Sequence, residues 1–251
     1  MHVPECYMDR FPDLPWDRRI MAAMISAVDD GVGEITDTLK RLGLFENTII
    51  YFQSDNGPSR ESRNWLDGTE DPYYGGTTGI FSGHKFSLFE GGIRIPALLS
   101  WGNKIKPRTI DKPFIAMDLF PTVLEACGGN TDEYVLDGKS MLSMLISDET
   151  CEHDYLFWEM EDQNAVRYGD YKLVLNGRLT EGEAPRSPVF LSDLRTDPGE
   201  KNNLAGDLPE LCENLTEKVL AWRKKIEETW TKEFAKNYSL DRKSTRLNSS
   251  H

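Results

Sequence analysis

A short run of β-branched and aromatic residues, Thr48-Ile49-Ile50-Tyr51-Phe52, breaks off at Ser54-Asp55-Asn56-Gly57. Bounded by turn residues on both sides, such a run is the pattern of a strand buried on both faces, so the rest of the chain has to cover it twice over. Open α/β sheets gather ligands at the carboxyl ends of strands of this kind. An Asp and an Asn at that edge offer a carboxylate beside an amide oxygen, hard donors that suit calcium or magnesium better than zinc. Asp-Asn-Gly is also a good Asx turn in its own right, and the tetrapeptide alone leaves both readings open.

The surroundings fit an alternation of helix and strand. From Arg18 to Leu42 the apolar residues Ile20, Met24, Val28, Val32, Ile35, Leu39 and Leu42 recur at helical spacing, with Asp17 as the expected cap and Gly43 as terminator. A long helix feeding a strand is the repeating unit of a three-layer α/β domain. Residues 57 to 83 have no apolar period and are expected to form a long surface loop, in which Trp65, Tyr73 and Tyr74 either stack on a ligand or pack the loop onto the domain. Asp118 to Cys127 reads as a further helix, with Pro121 in its first turn and Gly128 after its end.

Beyond a charged stretch at 148 to 154, taken as a boundary, the pattern changes. Tyr155-Leu156-Phe157-Trp158, Ala165-Val166-Arg167, Tyr171 to Leu175 and Val189-Phe190-Leu191 are short runs separated by turns, as in an antiparallel sheet. Leu211, Leu215, Val219, Trp222, Ile226 and Trp230 then repeat every three or four residues, predicting an amphipathic helix over one face of that sheet.

The segment Gly83-His84-Lys85-Phe86-Ser87-Leu88-Phe89-Glu90-Gly91-Gly92-Ile93-Arg94-Ile95-Pro96 sets a cation, paired glycines and an arginine in close order before the apolar run Ala97-Leu98-Leu99. A glycine-rich bend after a lysine can return a positive charge to the edge of the first strand. Here the chain resembles the sulfatase family, whose pattern is a strand ending in Ser-Asp-Asn-Gly, then Gly-x-Lys and aromatic-Glu-Gly-Gly-x-Arg-x-Pro. Four more stretches resemble that family in order: Asp118 to Thr122, Asp137-Gly138-Lys139-Ser140, Val166 to Leu173, and Asp197-Pro198-Gly199-Glu200 with Asn203-Leu204. The likeness runs from about the first residues to about residue 230.

The resemblance implies an α/β chain: over 1–150, part of a three-layer alkaline-phosphatase-like catalytic domain, and over 151–240 a smaller α+β subdomain of antiparallel sheet plus helix. It implies one calcium ion with Asp55 and Asn56 among its ligands, Lys85 as a catalytic, sulfate-contacting lysine, and His2 of His2-Val3-Pro4 as a sulfate contact that protonates the leaving group. His84 faces either the substrate or solvent. Glu90 and Arg94 are expected to lock the bend by a salt bridge, and His153 to be structural or exposed. The family's nucleophile is a formylglycine made from the Cys of Cys-x-Pro-x-Arg, and none of Cys6, Cys127, Cys151 and Cys212 opens such a motif. Asn56-Gly57-Pro58-Ser59-Arg60 matches only its tail, with Asn in the place of Cys. The expectation is therefore the C-terminal portion of a sulfatase, acting on a sulfated small molecule or glycan in a periplasmic, secreted or lysosome-like compartment, and inactive without the segment that bears the nucleophile. A phosphatase or phosphonate hydrolase of the same superfamily is the alternative; its second metal calls for a His after the strand-end Asp, where this chain has Asn56.

Composition narrows the partners. A net charge of -13 gives no basic face for nucleic acid or an anionic membrane, so a sulfated ligand has to be held by a local positive site. No apolar run approaches the roughly 20 residues of a membrane span. The four cysteines lie too far apart for a Cys-x-x-Cys pair. Asn214-Leu215-Thr216 and Asn237-Tyr238-Ser239 fit the glycosylation pattern weakly, and 241–251 reads as a disordered tail foreign to the rest.

Overall fold

The computed structural model describes residues 2–60, 68–71, 73–147, 149 and 151–233. The boundary positions 148 and 150, Trp65, the glycosylation pattern at Asn237 and the tail 241–251 lie outside them.

A short helix α1 (Glu5–Met8) precedes the long α2 (Trp16–Arg41). Pro15 stands at the N-cap of α2, pre-set for helical entry, and Asp17 is not the cap but a first-turn acid. The Asp17 side chain instead turns outward to accept the Tyr74 N–H at 3.0 Å. Gly43 ends the helix with φ +68°, a left-handed position that suits glycine, as expected. Of the predicted apolar stripe Ile20 is buried, whereas Val28, Ile35 and Leu42 are exposed.

β1 (Ile50–Gln53) pairs antiparallel with β2 (Ala97–Ser100), Ile50 opposite Ser100 and Gln53 opposite Ala97. This corrects the strand expected to be buried on both faces. β2 is its one hydrogen-bonded neighbour among the described residues, and Phe52 and Leu98 are left exposed, Leu98 at 70%. An apolar run shows which side chains prefer burial; whether a second layer arrives to bury them depends on the partners available.

The C-terminal runs form the predicted antiparallel sheet in the order β3 (Leu156–Met160), β4 (Gln163–Tyr168), β5 (Tyr171–Leu175), β6 (Val189–Asp193). Side chains alternate across it, and both faces are used. On one face Val166, Leu173, Leu175 and Leu191 pack against Leu215 and Val219 of α6 (Pro209–Glu233), with Trp222 stacked on Phe157 at 5.1 Å between ring centroids. On the other, Ala165, Val174 and Phe190 pack against Leu88 and Phe89, the residues that follow Lys85. The apolar stripe of α6 continues past the sheet, where Ile226 and Trp230 are exposed.

In the chain between β2 and β3, α4 (Leu119–Ala126) and α5 (Leu142–Ile146) are held by one buried acid. Asp118 accepts from the Lys139 N–H at 2.8 Å and the Ile115 N–H at 3.1 Å, and His153 Nε2 lies 2.9 and 3.0 Å from its two oxygens. Thr122 Oγ1, one turn on, accepts from the Met141 N–H at 2.9 Å. The Asp-x-x-Pro-Thr and Asp-Gly-x-Ser stretches are thus two halves of one clasp, and His153 is its buried third member. Gly138 is required in it, since a Cβ there would stand 2.1 Å from the Met117 carbonyl oxygen. Asp118→Ala strands several buried donors and is expected to cost about 3 kcal/mol or more. Asp118→Asn, which keeps an acceptor, costs less. Urea unfolding midpoints of the two variants check the order.

Candidate functional site

Three chain segments cross at the carboxyl end of β1, and glycines are what let their backbones meet. A Cβ on Gly57 would lie 1.9 Å from the Gly91 carbonyl oxygen, one on Gly91 2.2 Å from that of Gly83, and one on Gly92 2.1 Å from that of Ser87. Side chains at these positions are excluded by backbone, which cannot rotate away. The contact is hydrogen-bonded: Gly57 N–H donates to the Gly92 carbonyl at 2.9 Å, Lys85 N–H to Pro58 at 3.0 Å and Gly91 N–H to Ser82 at 2.6 Å. The turn bearing Asp55 and Asn56 and the bend bearing His84 and Lys85 are therefore fixed side by side. After them Glu90–Ile93 makes one helical turn, α3, leading into β2.

Within the first turn Asn56 N–H donates to Asp55 Oδ1 at 3.0 Å and Ser54 Oγ–H to the Asn56 carbonyl at 2.9 Å, so the Asx turn is formed. Asp55 is exposed and Asn56 half-buried. The two side chains fit calcium in kind, hard oxygens on adjacent residues, yet supply two of the about six to eight donors such an ion takes. Among the described residues no group of three His, Cys, Asp or Glu side chains is placed to hold a metal. The remaining donors would come from elsewhere.

Lys85 is half-buried, its ammonium 5.2 Å from the centre of the Phe86 ring. Phe86 itself has φ +70°, a left-handed conformation that costs a bulky residue of order 1–3 kcal/mol and persists only where the surroundings over-determine it. They do. The buried Gln163 of β4 donates from Nε2 to the Phe86 carbonyl at 2.9 Å, and its Oε1 accepts from Arg178 N–H at 2.9 Å. Ser87 Oγ–H donates to the Arg178 carbonyl at 2.6 Å, and His84 N–H to that of Leu179 at 3.0 Å. The bend that carries the lysine is shaped by the C-terminal sheet.

Below it lies a buried charge triad. Lys172 of β5, fully enclosed, places Nζ 2.9 Å from Glu90 Oε1 and 3.1 Å from Glu200 Oε1. Glu200 Oε2 accepts the Glu90 N–H at 2.5 Å. Arg94 adds the expected but more exposed bridge to Glu90, at 3.6 Å. Burial alone would raise the Glu90 carboxyl; the Lys172 ammonium, with help from Arg167 and Arg94, outweighs it and holds that group below the usual carboxylate range. Burial pushes the Glu200 carboxyl above that range, with Lys172 offsetting only part of the effect. Two carboxylates share one ammonium, and Glu200 holds its charge less firmly.

The remaining sequence-derived candidates fall apart from this centre or beside it. His84 is half-buried against Arg60, whose Nε–H donates to its Nε2 at 3.4 Å. His2 is exposed ahead of α1, and no hydrogen bond or ion pair among the described residues ties it to the Asp55 edge. Tyr73 packs rather than stacks on a ligand, buried with its hydroxyl donating to the Asp17 carbonyl at 3.1 Å and its pKa pushed up to about 12 by burial and Asp17. Tyr74 is exposed, with the Arg60 guanidinium 4.4 Å above its ring. Gln163, Lys172 and Glu200 were not singled out from the sequence. Lys172 and Glu200 sat within recognised motifs, but which buried charges pair across 82 or 110 residues is not written in either stretch.

Comparison with known proteins places this arrangement. A sulfatase family model matches residues 17–129, and a model for the C-terminal part of N-sulphoglucosamine sulphohydrolase matches residues 76–225. The mouse steryl-sulfatase is 35% identical over 72% of this chain and 32% of its own length. An N-acetylgalactosamine-6-O-sulfatase of Bacteroides thetaiotaomicron is 31% identical over 77% of this chain and 40% of its own. A solved structure from that organism's locus for the metabolism of multiple glycosaminoglycans superposes with a TM-score of 0.67 at 28% identity, covering 81% of this chain and 44% of that one. The chain thus spans less than half the length of each of these relatives, while one family model reaches across both the Lys85 bend and the sheet that shapes it. The chain belongs to the sulfatase family.

Proposed function

We propose that this chain forms the C-terminal part of a sulfuric ester hydrolase acting on a sulfated carbohydrate or aryl sulfate. Residues 1–150 would belong to the catalytic domain and 151–240 to a C-terminal subdomain, with the enzyme working in a periplasmic, secreted or lysosome-like compartment. No helix among the described residues is long and apolar enough to cross a membrane.

The observation that carries the reading is the backbone clasp of Gly57 to Gly92 and Lys85 to Pro58, which sets a hard-oxygen pair and an ammonium on adjacent turns. Asp55 and Asn56 would give two oxygen donors to one calcium ion. Such an ion would supply positive charge against the sulfuryl oxygens, and a formylglycine, from a segment outside this chain, would supply the oxygen nucleophile. Lys85 would contact a sulfuryl oxygen and the leaving oxygen as a compact cation. His2, by the resemblance of His2-Val3-Pro4 to the family's His-x-Pro, would hand a proton to the leaving alkoxide. Asn56 in place of a His disfavours the two-metal phosphatase or phosphonate alternative, whose second ion takes a nitrogen donor.

The chain alone is expected to give no turnover of 4-nitrophenyl sulfate. Joined to an upstream segment with Cys-x-Pro-x-Arg and matured, it is expected to hydrolyse that ester and to leave a phosphonate monoester largely untouched. In that enzyme Asp55→Ala should lose calcium by isothermal titration, and Lys85→Ala should lower kcat about a hundredfold or more. Full activity in both variants, or preferred cleavage of the phosphonate, would refute the assignments.

A further inference from the structure

Phe86 occupies a backbone position that suits a different residue. Ser87 N–H donates to the His84 carbonyl at 3.0 Å, which closes a β-turn with Lys85 and Phe86 at its two central places. A φ of +70° at the second of these is the type II form, which glycine adopts freely and a bulky side chain only under strain. The apolar core does not account for a phenyl ring here. Leu88 and Phe89, two and three residues on, pack with Ala165, Val174 and Phe190, whereas Phe86 belongs to none of the buried apolar clusters among the described residues and pairs with none of their rings. Its ring is half-buried, and the Lys85 ammonium lies over its face, 5.2 Å from the centre. The turn is nonetheless held in this form from the C-terminal sheet side, by Gln163 on the Phe86 carbonyl and by Ser87 on that of Arg178. Strain that its surroundings maintain, in a residue beside the candidate lysine, points to function and not to packing.

We propose that Phe86 is a specificity-determining residue: a flat apolar wall beside Lys85 that receives the ring carrying the sulfate ester. The substrate class is then a sulfate borne on a sugar or aryl ring, and not on an open alkyl chain. An anion that meets the ammonium comes to the same face of Phe86, and the atoms attached to its ester oxygen follow. A pyranose or aryl ring lays a broad apolar surface against the phenyl ring, while a short alkyl chain covers little of it. The assignment rests on the reading of Lys85 as the sulfate contact.

The test uses the matured enzyme described above, with 4-nitrophenyl sulfate as substrate and galactose 4-sulfate and propyl sulfate as competitors read by their inhibition constants. Phe86→Gly should raise the KM of the aryl ester and the inhibition constant of the sugar ester about tenfold relative to the inhibition constant of propyl sulfate, with kcat changing far less. The same variant should unfold at no lower urea concentration than the parent, since glycine takes the left-handed turn without strain. A ring that serves only to pack gives the opposite pattern, earlier unfolding with the preference for ring esters intact, and that result overturns the wall and spares the sulfatase reading. An equal loss on all three esters, or a loss mainly in kcat, places the effect in Lys85 and also overturns it. If only one ring ester loses its advantage, the ring is assigned as aryl or sugar accordingly. Should Phe86→Gly unfold early and lose the preference as well, Phe86→Leu, which keeps the bulk and gives up the flat face, is judged by the preference alone. A parent enzyme that does not hydrolyse 4-nitrophenyl sulfate overturns both readings.

Discussion

Lys172→Met is expected to be among the most destabilising single substitutions in this chain, costing about 3–5 kcal/mol in denaturant unfolding, because it leaves the enclosed Glu90 and Glu200 carboxyl groups facing each other with the longer, more exposed Arg94 bridge to Glu90 in place of the shared ammonium. The same substitution combined with Glu90→Gln and Glu200→Gln should recover much of that loss, since removing all the charges also removes the penalty of burying them. The pH dependence separates the two acids. Glu200 has its folded-state pKa raised, so its contribution is complete below the ordinary carboxylate range and is lost as pH rises through the raised value. Glu90 has its folded-state pKa lowered, so its contribution is present above the ordinary range and is lost as pH falls through the lowered value. Stability from the triad should therefore rise on going from neutral to mildly acidic pH and fall again at stronger acid. Glu200→Gln should abolish the rise and keep the fall. Unfolding midpoints across pH 3 to 8 that are flat for the parent chain would contradict the assignment.

Gly57→Ala is the second large effect. Its Cβ has to displace the Gly91 carbonyl oxygen at 1.9 Å, and Gly92 Cα stands at 3.0 Å, so relief is possible only by parting the two loops. The expected cost is about 3 kcal/mol, at the upper end for overpacking, and it falls where the candidate site is built. Amide exchange gives a reading specific to the clasp: the Gly57 and Lys85 N–H groups should lose protection while those of β4 and β5 keep theirs. Gly31→Ala is the control. It lies inside α2 with nothing within 4 Å of the added Cβ, and should stabilise by about 0.5–1 kcal/mol. Equal behaviour of the two variants would remove the clasp from the argument.

What the sequence made legible follows the range of each signal. The antiparallel runs from Tyr155 to Leu191 and the helix beginning near Leu211 were readable because alternation and helical spacing are local and their apolar faces meet each other. The Gly-Gly bend was readable as a bend. It was not readable as three backbones in contact, because Gly57, Gly83 and Gly91 show their purpose only when juxtaposed. The strand at Ile50 misled for a related reason: its apolar run states a preference for burial, and the exposed Phe52 and Leu98 show that the preference is unmet among the described residues. Asp55, Asn56 and Lys85 were named from motif order. Arg60 was passed over as the tail of an imperfect match, and Gln163 because a polar residue at a strand start looks ordinary until the carbonyl it clamps is known.

The dependence of the Lys85 bend on residues so far downstream has a consequence for how the protein is made. Glu90 cannot meet Glu200 until the ribosome has added 110 more residues, which at about 5–20 residues per second takes on the order of 5–20 s. Until residues 163 to 175 have been added within that interval, Leu88 and Phe89 have no β4 or β5 to cover them, and Phe86 has no Gln163 to hold it left-handed. The nascent chain is thus committed to an open period with two adjacent apolar side chains in water. Synthesis that pauses between residues 90 and 172 lengthens the time in which a chaperone, or another unfinished copy, can reach them.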